Sequence, residues 1–269
     1  MTRHGPEGSA LAELMEVARE LAIQAGEVTL RYFGEIVAAD TKSDGSPVTR
    51  ADREAEELLH TEIRKRYPDH SLLGEELGEY QGAAPVRWIL DPIDGTRAYM
   101  RGVPLYAVLI GIEVEDEAVG GVAHFPALGE TVVGCKGAGC TWWPSTSAAP
   151  VLARVSEVQH LEQALITTTD PERILTSEIA DGWRTLSGQV DLVRGWGDAY
   201  GHILVATGRA EVMVDPILSP WDAAPLLPIV TESGGRFTDL SGRPTIRGGS
   251  GVSSNRHLYG PVMEILRPG

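Results

Sequence analysis

Between Trp88 and Tyr106 the chain places two aspartates, Asp91 and Asp94, where their type and spacing can do chemistry. The apolar run Trp88-Ile89-Leu90 predicts a buried strand that delivers the backbone to Asp91. Pro92 fixes the backbone there, Asp94-Gly95 makes a turn, and Thr96 can open a helix. Two carboxylates at the carboxyl end of a strand suit a hard cation, which takes oxygen ligands. The amides of Gly95 and Thr96, at the start of a helix, suit an anion such as phosphate. The stretch reads as a metal and phosphate centre. Taken alone, the same residues fit a hairpin turn at Asp94-Gly95 or an aspartate-capped helix as well. A calcium loop is excluded, because the twelfth position counted from Asp91 is Gly102 and not glutamate.

The charge balance narrows the partners. A net charge of −15 over 269 residues disfavours nucleic acid, whose binding rests on phosphate neutralisation by Lys and Arg. An anionic substrate stays compatible if bound cations reverse the local field, so an acidic protein that grips phosphate points to metal ions. No run of about 18 apolar residues occurs, so no membrane span is expected, and the polar start Met1 to Ala10 has no signal-peptide core. Cys135 and Cys140 fit no zinc or redox spacing and are expected to be reduced packing residues of a cytoplasmic protein. The seven histidines show no metal-ligand spacing.

The elements that must position the centre follow from periodicity. A helix is expected from Ser9 to Phe33, with Leu11, Leu14, Met15, Ala18, Leu21, Ala22, Ala25, Val28 and Leu30 on its apolar face. Ile36 to Ala39 is expected as a short strand, and Lys42 to Asp52 begins as a turn-rich loop. A second helix is expected from Ala51 to Tyr67, then a strand Ser71-Leu72-Leu73 that runs into Gly74-Glu75-Glu76, where the glycine would let the backbone turn into a cleft. Leu105 to Val114, Val119 to Phe125 and Glu130 to Cys135 read as three antiparallel strands. Trp142 to Pro150 is the boundary candidate, dividing the chain into residues 1–145 and 146–269.

The second half alternates strand and helix: strands Ala164 to Thr167, Val190 to Val193 and Glu211 to Val214, and helices Pro171 to Leu186, one that follows Trp196-Gly197-Asp198 and runs through Ala206, and Pro220 to Val230. The pair Gly234-Gly235 closes the last helix. The predicted class is α/β, an α+β N-terminal part with an antiparallel sheet joined to an α/β C-terminal part.

Gly74-Glu75-Glu76, the run Asp91-Pro92-Ile93-Asp94-Gly95-Thr96 and Trp221-Asp222-Ala223-Ala224 together resemble the inositol monophosphatase family. The resemblance covers nearly the whole chain, and it implies the layered α-β-α-β-α sandwich shared with fructose-bisphosphatase. Within the family the chain is similar to the histidinol-phosphate phosphatase branch. That likeness rests on the loop Lys42 to Asp52, on Arg97, on Gly197 to Pro216 and on Ser219 to Asp222.

The resemblance implies Glu75, Asp91, Asp94, Asp222 and the carbonyl of Ile93 as ligands of two or three Mg²⁺ ions. Four crowded carboxylates agree with this, since they cannot all stay ionised without cations. It also implies attack by water, with Glu75 as proton acceptor, Thr96 hydrogen-bonded to the water and Asp52 orienting Thr96. Lys42 would act from outside the ligand shell, and Gly95 and Thr96 would face the phosphate. A phospho-threonine route is disfavoured, because no base is indicated for that hydroxyl.

Asp215, Asp198 and Arg97 are expected to contact the leaving group, where carboxylates favour an ammonium through charge-assisted hydrogen bonds. Asp198 equally fits a helix cap. The activity implied is hydrolysis of L-histidinol phosphate, with inositol-1-phosphate or a broader set of sugar phosphates as the alternative. A homodimer is likewise implied. A silent metal-binding scaffold is disfavoured, because every position expected to carry chemistry holds a competent residue.

Overall fold

The structure is a computed structural model, and it describes residues 8–34, 40–41 and 47–266. The expected strand Ile36 to Ala39 and the loop residue Lys42 lie outside these residues. The first half runs α1 (Gly8–Leu30), β1 (Asp40–Thr41), β2 (Pro47–Val48), α2 (Arg50–Arg66), β3 (Ser71–Gly74), β4 (Gly78–Tyr80) and β5 (Val86–Asp94). It continues through α3 (Thr96–Tyr99), β6 (Ala107–Val114), β7 (Glu117–Phe125), β8 (Glu130–Cys135), β9 (Gly139–Trp143) and β10 (Val151–Leu152). The second half runs β11 (Leu165–Thr168), α4 (Pro171–Leu175), α5 (Ala180–Ser187), β12 (Leu192–Arg194), α6 (Asp198–Ala206) and β13 (Val212–Asp215). It ends with α7 (Pro220–Glu232), β14 (Arg236–Thr238), β15 (Gly251–Ser254) and α8 (Tyr259–Leu266).

Two sheets organise these elements. An eight-stranded sheet has the order β10-β9-β8-β7-β6-β5-β3-β4, and a five-stranded sheet the order β12-β11-β13-β15-β14. In the first, only β3 and β5 pair in parallel among the described strands; in the second, β12, β11 and β13 are parallel, β15 runs against them, and β14, antiparallel to β15, runs with them again. The chain passes from one sheet to the other between Leu152 and Leu165, later than the expected boundary at 145/146.

Apolar interfaces join the layers, the one between α6 and the small sheet through Leu204, Val205 and Met213. The faces of α1 and α2 pack on one side of the large sheet around Leu21, Leu59, Trp88 and Ile110. The other side meets α6 and α7 through Leu109, Phe125, Ile203, Leu226 and Ile229. The small sheet packs α4, α5 and α8 on its outer face through Ile166, Val214, Trp183 and Met263. The result is the α-β-α-β-α sandwich, with one core shared by both halves of the chain.

The expected apolar face of α1 is buried from Leu11 to Val28, while Leu30 is exposed. The helix already includes Gly8, so Ser9 lies inside it. The expected helix Pro171 to Leu186 is two helices, α4 and α5. Thr176 and Ser177 donate their hydroxyls to the carbonyls of Arg173 at 3.0 Å and Ile174 at 2.8 Å, a local bonding that competes with helix continuation. Cys135 and Cys140 are buried and unpaired, and they face different layers, Cys135 toward α1 and Cys140 toward α7.

Three glycines, Gly111, Gly121 and Gly134, sit side by side on β6, β7 and β8, paired in register. A Cβ at Gly121 would lie 2.1 Å from the Pro225 carbonyl, and at Gly134 2.5 Å from Ile229 Cα. The bare stripe lets α7 lie with its backbone against the sheet, and this contact fixes where the first turn of α7 points.

Candidate active site

Asp91 and Asp94 lie three positions apart on β5. A regular strand turns successive side chains to opposite faces, so these two would point apart. The pairing of β5 with β6 is regular from Val86 to Asp91 and shifts register between Asp91 and Asp94. Such an irregularity re-aims side chains, and Pro92 inside it has no N–H to give to the ladder. Both carboxylates therefore join one cluster. Asp91 Oδ1 accepts the Ile93 amide at 2.9 Å, and Asp94 Oδ2 accepts the Ala199 amide of α6 at 2.8 Å.

The third carboxylate comes from the other half. Asp222 is the third residue of α7, and its Oδ2 accepts the Ser219 amide at 2.8 Å. Oxygens of Asp91, Asp94 and Asp222 lie within 4.8 Å of one another. Burial raises the carboxyls of Asp91 and Asp94 well above their usual range, and neighbouring carboxylates raise them further, Glu75 acting first on Asp91 and Asp198 on Asp94. Burial pushes Asp222 up to about 7, against the hydrogen bonds from Ser219 and Asp91. A set of oxygen donors this dense fits a hard divalent cation and not a soft one. Glu75 follows β3 and is fixed by its amide, which donates to the Leu90 carbonyl at 3.1 Å. The Ile93 carbonyl accepts the Thr96 hydroxyl at 3.1 Å and keeps a second lone pair.

Glu56, which the sequence reading did not single out, sets the turn around Glu75. Its carboxylate is fully buried on α2 and accepts the amides of Glu76 and Leu77, each at 2.8 Å. This corrects the reason for Gly74. Gly74 is the last residue of a strand and does not bend the chain into a cleft. A Cβ there would lie 1.8 Å from Glu56 Oε1, so the position is glycine to admit the carboxylate.

Asp52 differs from expectation as well. Its Oδ2 accepts the amide of Thr49 at 2.8 Å and the Thr49 hydroxyl, closing a capping box at the start of α2. The Thr96 hydroxyl is turned to Ile93, so Asp52 does not orient it. Asp52 Oδ1 is buried without a hydrogen-bond partner among the described residues. Burial lifts the Asp52 carboxyl to about 6, with the charge of Glu75 adding to the rise.

Gly95 has φ +81 and precedes α3, so the turn after Asp94 requires a residue tolerant of left-handed backbone. Next to it opens a cleft of about 360 Å³ lined by Asp94, Arg97, Asp198, Asp215, Ile217 and Asp222, together with Thr169, Asp170 and Arg173. Asp198 does not cap α6: Gly197 holds the cap position, and Asp198 sits in left-handed backbone at φ +52. Burial lifts Asp198 to about 6, against the positive charge of Arg97. Burial lifts Asp215 to about 7, against the hydrogen bond from Thr169. Thr169, Asp170 and Arg173 carried no motif in the sequence; their position right after a strand of the small sheet is the one signal that could have found them.

A cluster of carboxylates opening onto a polar cleft, between a strand end and the first turns of two helices, suits a metal-assisted hydrolase of phosphate esters. The sequence profile of the inositol monophosphatase family matches residues 10–267, and the chain belongs to that family. It is 44% identical to the histidinol-phosphatase of Chlorobaculum parvum, over 91% of this chain and 93% of that protein. It is 31% identical to the inositol-1-monophosphatase of Rhizobium meliloti, over 96% of this chain and 97% of that one. The solved extragenic suppressor protein suhB from Bartonella henselae superposes with a TM-score of 0.87 at 28% identity, covering 96% of this chain and 99% of that chain. The chain is a phosphomonoesterase of a metal-dependent family. No helix among the described residues is long and apolar enough to cross a membrane.

Proposed function

We propose that the chain hydrolyses L-histidinol phosphate to L-histidinol and phosphate, using two or three Mg²⁺ ions held by Glu75, Asp91, Asp94, Asp222 and the Ile93 carbonyl. Bound there, the cations supply positive charge to the phosphoryl oxygens and make water a stronger nucleophile. The protein's own part is positioning. The amides of Gly95 and Thr96 face the phosphate at the first turn of α3. Glu75 takes the proton of the attacking water. Arg97, at the rim, favours the ionised form of Asp198, and Lys42 acts from outside the ligand shell.

The observation that carries the substrate assignment is the acidic wall formed by Asp198 and Asp215, which line the same cleft as Asp94 and Asp222. Two carboxylates favour a leaving group that bears an ammonium over one that offers neutral hydroxyls. The 44% identity to a histidinol-phosphatase supports the same choice.

Phosphate release measured side by side on L-histidinol phosphate and inositol-1-phosphate tests the reading. A higher kcat/KM on L-histidinol phosphate is expected, and equal or better turnover of inositol-1-phosphate would overturn it. The working form is a homodimer in the cytoplasm on this reading, and a light-scattering mass of a single chain would remove the dimer.

A further inference from the structure

The two carboxylates of the acidic wall come from different elements, Asp198 from the first residue of α6 and Asp215 from the last residue of β13. Thr169, the residue after β11, lies between them. Its hydroxyl donates to Asp215 Oδ2 at 2.6 Å and accepts the Asp198 amide at 2.8 Å. A hydroxyl has one proton to give and lone pairs to receive, so both bonds form together. The next amide of the same turn, Ala199, goes to Asp94 Oδ2. Consecutive amides of α6 thus tie the acidic wall on one side and the metal cluster on the other.

Two further features require this arrangement. The left-handed backbone of Asp198, at φ +52, is one that a residue with a side chain rarely adopts without a local bond to hold it. Gly197 packs directly on Thr169, because a Cβ there would lie 2.2 Å from Thr169 Cα and 2.9 Å from its Oγ1. The other oxygen of Asp215 accepts the Ile217 amide at 3.3 Å, so the Asp215 carboxylate is gripped from both ends.

We propose that Thr169 is a positioning residue for substrate selection: one hydroxyl presets Asp198 and Asp215 as a pair that receives a protonated amine on the leaving portion of the substrate. The proposal rests on the amine-bearing substrate assigned above and adds the residue that builds its recognition wall. The hydroxyl of Thr169 bonds Asp215 and the Asp198 amide, neither of them among the proposed metal ligands. Its loss acts on the choice between esters and not on the hydrolytic step.

The test is the ratio of kcat/KM on L-histidinol phosphate to that on inositol-1-phosphate, measured in parallel for wild type and variants. General damage to the fold or the metal centre falls on both esters and cancels in the ratio. Thr169→Val keeps the shape and removes both bonds. The ratio is expected to fall on the order of tenfold, with the loss in KM for L-histidinol phosphate. Thr169→Ser restores the hydroxyl and is expected to return the ratio to within about twofold of wild type. An unchanged ratio in Thr169→Val overturns the proposal, as does an equal loss on both esters or a failure of Thr169→Ser to restore selectivity. Should Thr169→Val fail to fold, Thr169→Ala, which only removes atoms, gives the same comparison. A wild-type enzyme without preference for the amine-bearing ester overturns the substrate reading and this proposal with it, an outcome visible before any substitution is made.

Discussion

The two walls of the cleft are both acidic and are built on opposite terms. On the metal side, Asp91, Asp94 and Asp222 converge to within 4.8 Å, and each raises the carboxyl of its neighbours or is raised by them. On the side lined by Asp198 and Asp215, the Thr169 hydroxyl joins the Asp215 carboxylate to the Asp198 amide, and the charges of Arg97 and Arg173 act against the rise that burial causes in Asp198 and Asp215. Crowding of carboxylates suits the first wall to compact cations of high charge. An anchored backbone and nearby guanidinium charge suit the second to the single organic cation proposed above. The same residue type thus suits two proposed jobs, separated by what holds each carboxylate.

Substitutions that equalise the walls should have the largest effects. Asp94→Asn keeps an acceptor for the Ala199 amide and removes a charge from the metal side. Turnover is expected to fall by about a thousandfold or more while the circular dichroism spectrum stays that of wild type; retained activity would show that the first wall does not hold the cation. Mg²⁺ added to chelator-treated protein should raise the Tm, by about 2.7 kcal/mol of stability at a free concentration near 100 times Kd. In Asp222→Asn that gain should largely vanish, and an equal gain in both proteins would place the ion elsewhere.

The seat of α7 joins the walls and can be disturbed from behind. Gly121→Ala drives a methyl into Pro225 and is expected to cost about 1–3 kcal/mol in denaturant unfolding, with weaker Mg²⁺ affinity because Asp222 rides on the same helix. A loss of stability with unchanged affinity would show that the metal side is insensitive to how the helix sits.

The smallest effect is on pH dependence. Asp215 has its carboxyl at about 7 in the fold and near 3.9 when unfolded. The folded state binds the extra proton, so the contribution of Asp215 is fully present below the unfolded value and is lost as pH rises through about 7. In metal-free protein, Asp215→Asn should therefore gain on wild type by about 1 kcal/mol between about pH 6 and about pH 8. A difference that stays flat over that range would mean that the second wall does not carry the buried charge described.

Asp91 and Asp94 of the first wall were legible from type and spacing, while Asp222, Asp198 and Asp215 were reached only through the family resemblance and Thr169 not at all. Asp91, Asp94 and Gly95 form a contiguous run, so their chemistry could be read directly from residue types and spacing. What could not be read was the register shift that turns both aspartates the same way, since strand periodicity alone sets them on opposite faces. Thr169 and Glu56 act through hydrogen bonds to residues 46 and about 20 positions away, and no local pattern marks such a bond. The helix periods of α1 and α2 were legible because an apolar stripe is written in the chain itself. The strands β14 and β15 were missed because they are short and bounded by glycines, and only the sheet beside them makes them strands. Gly74 shows the converse: its presence was legible, and its reason lay in a carboxylate from another helix.

The central claim is that carboxylates from both halves of the chain share a divalent cation. Diffraction from crystals soaked in Mn²⁺, recorded for anomalous signal, tests it most directly. The account predicts a peak bounded by Asp91, Asp94, Asp222 and the Ile93 carbonyl. A peak elsewhere, or none at this cluster in crystals that take up Mn²⁺, would contradict it.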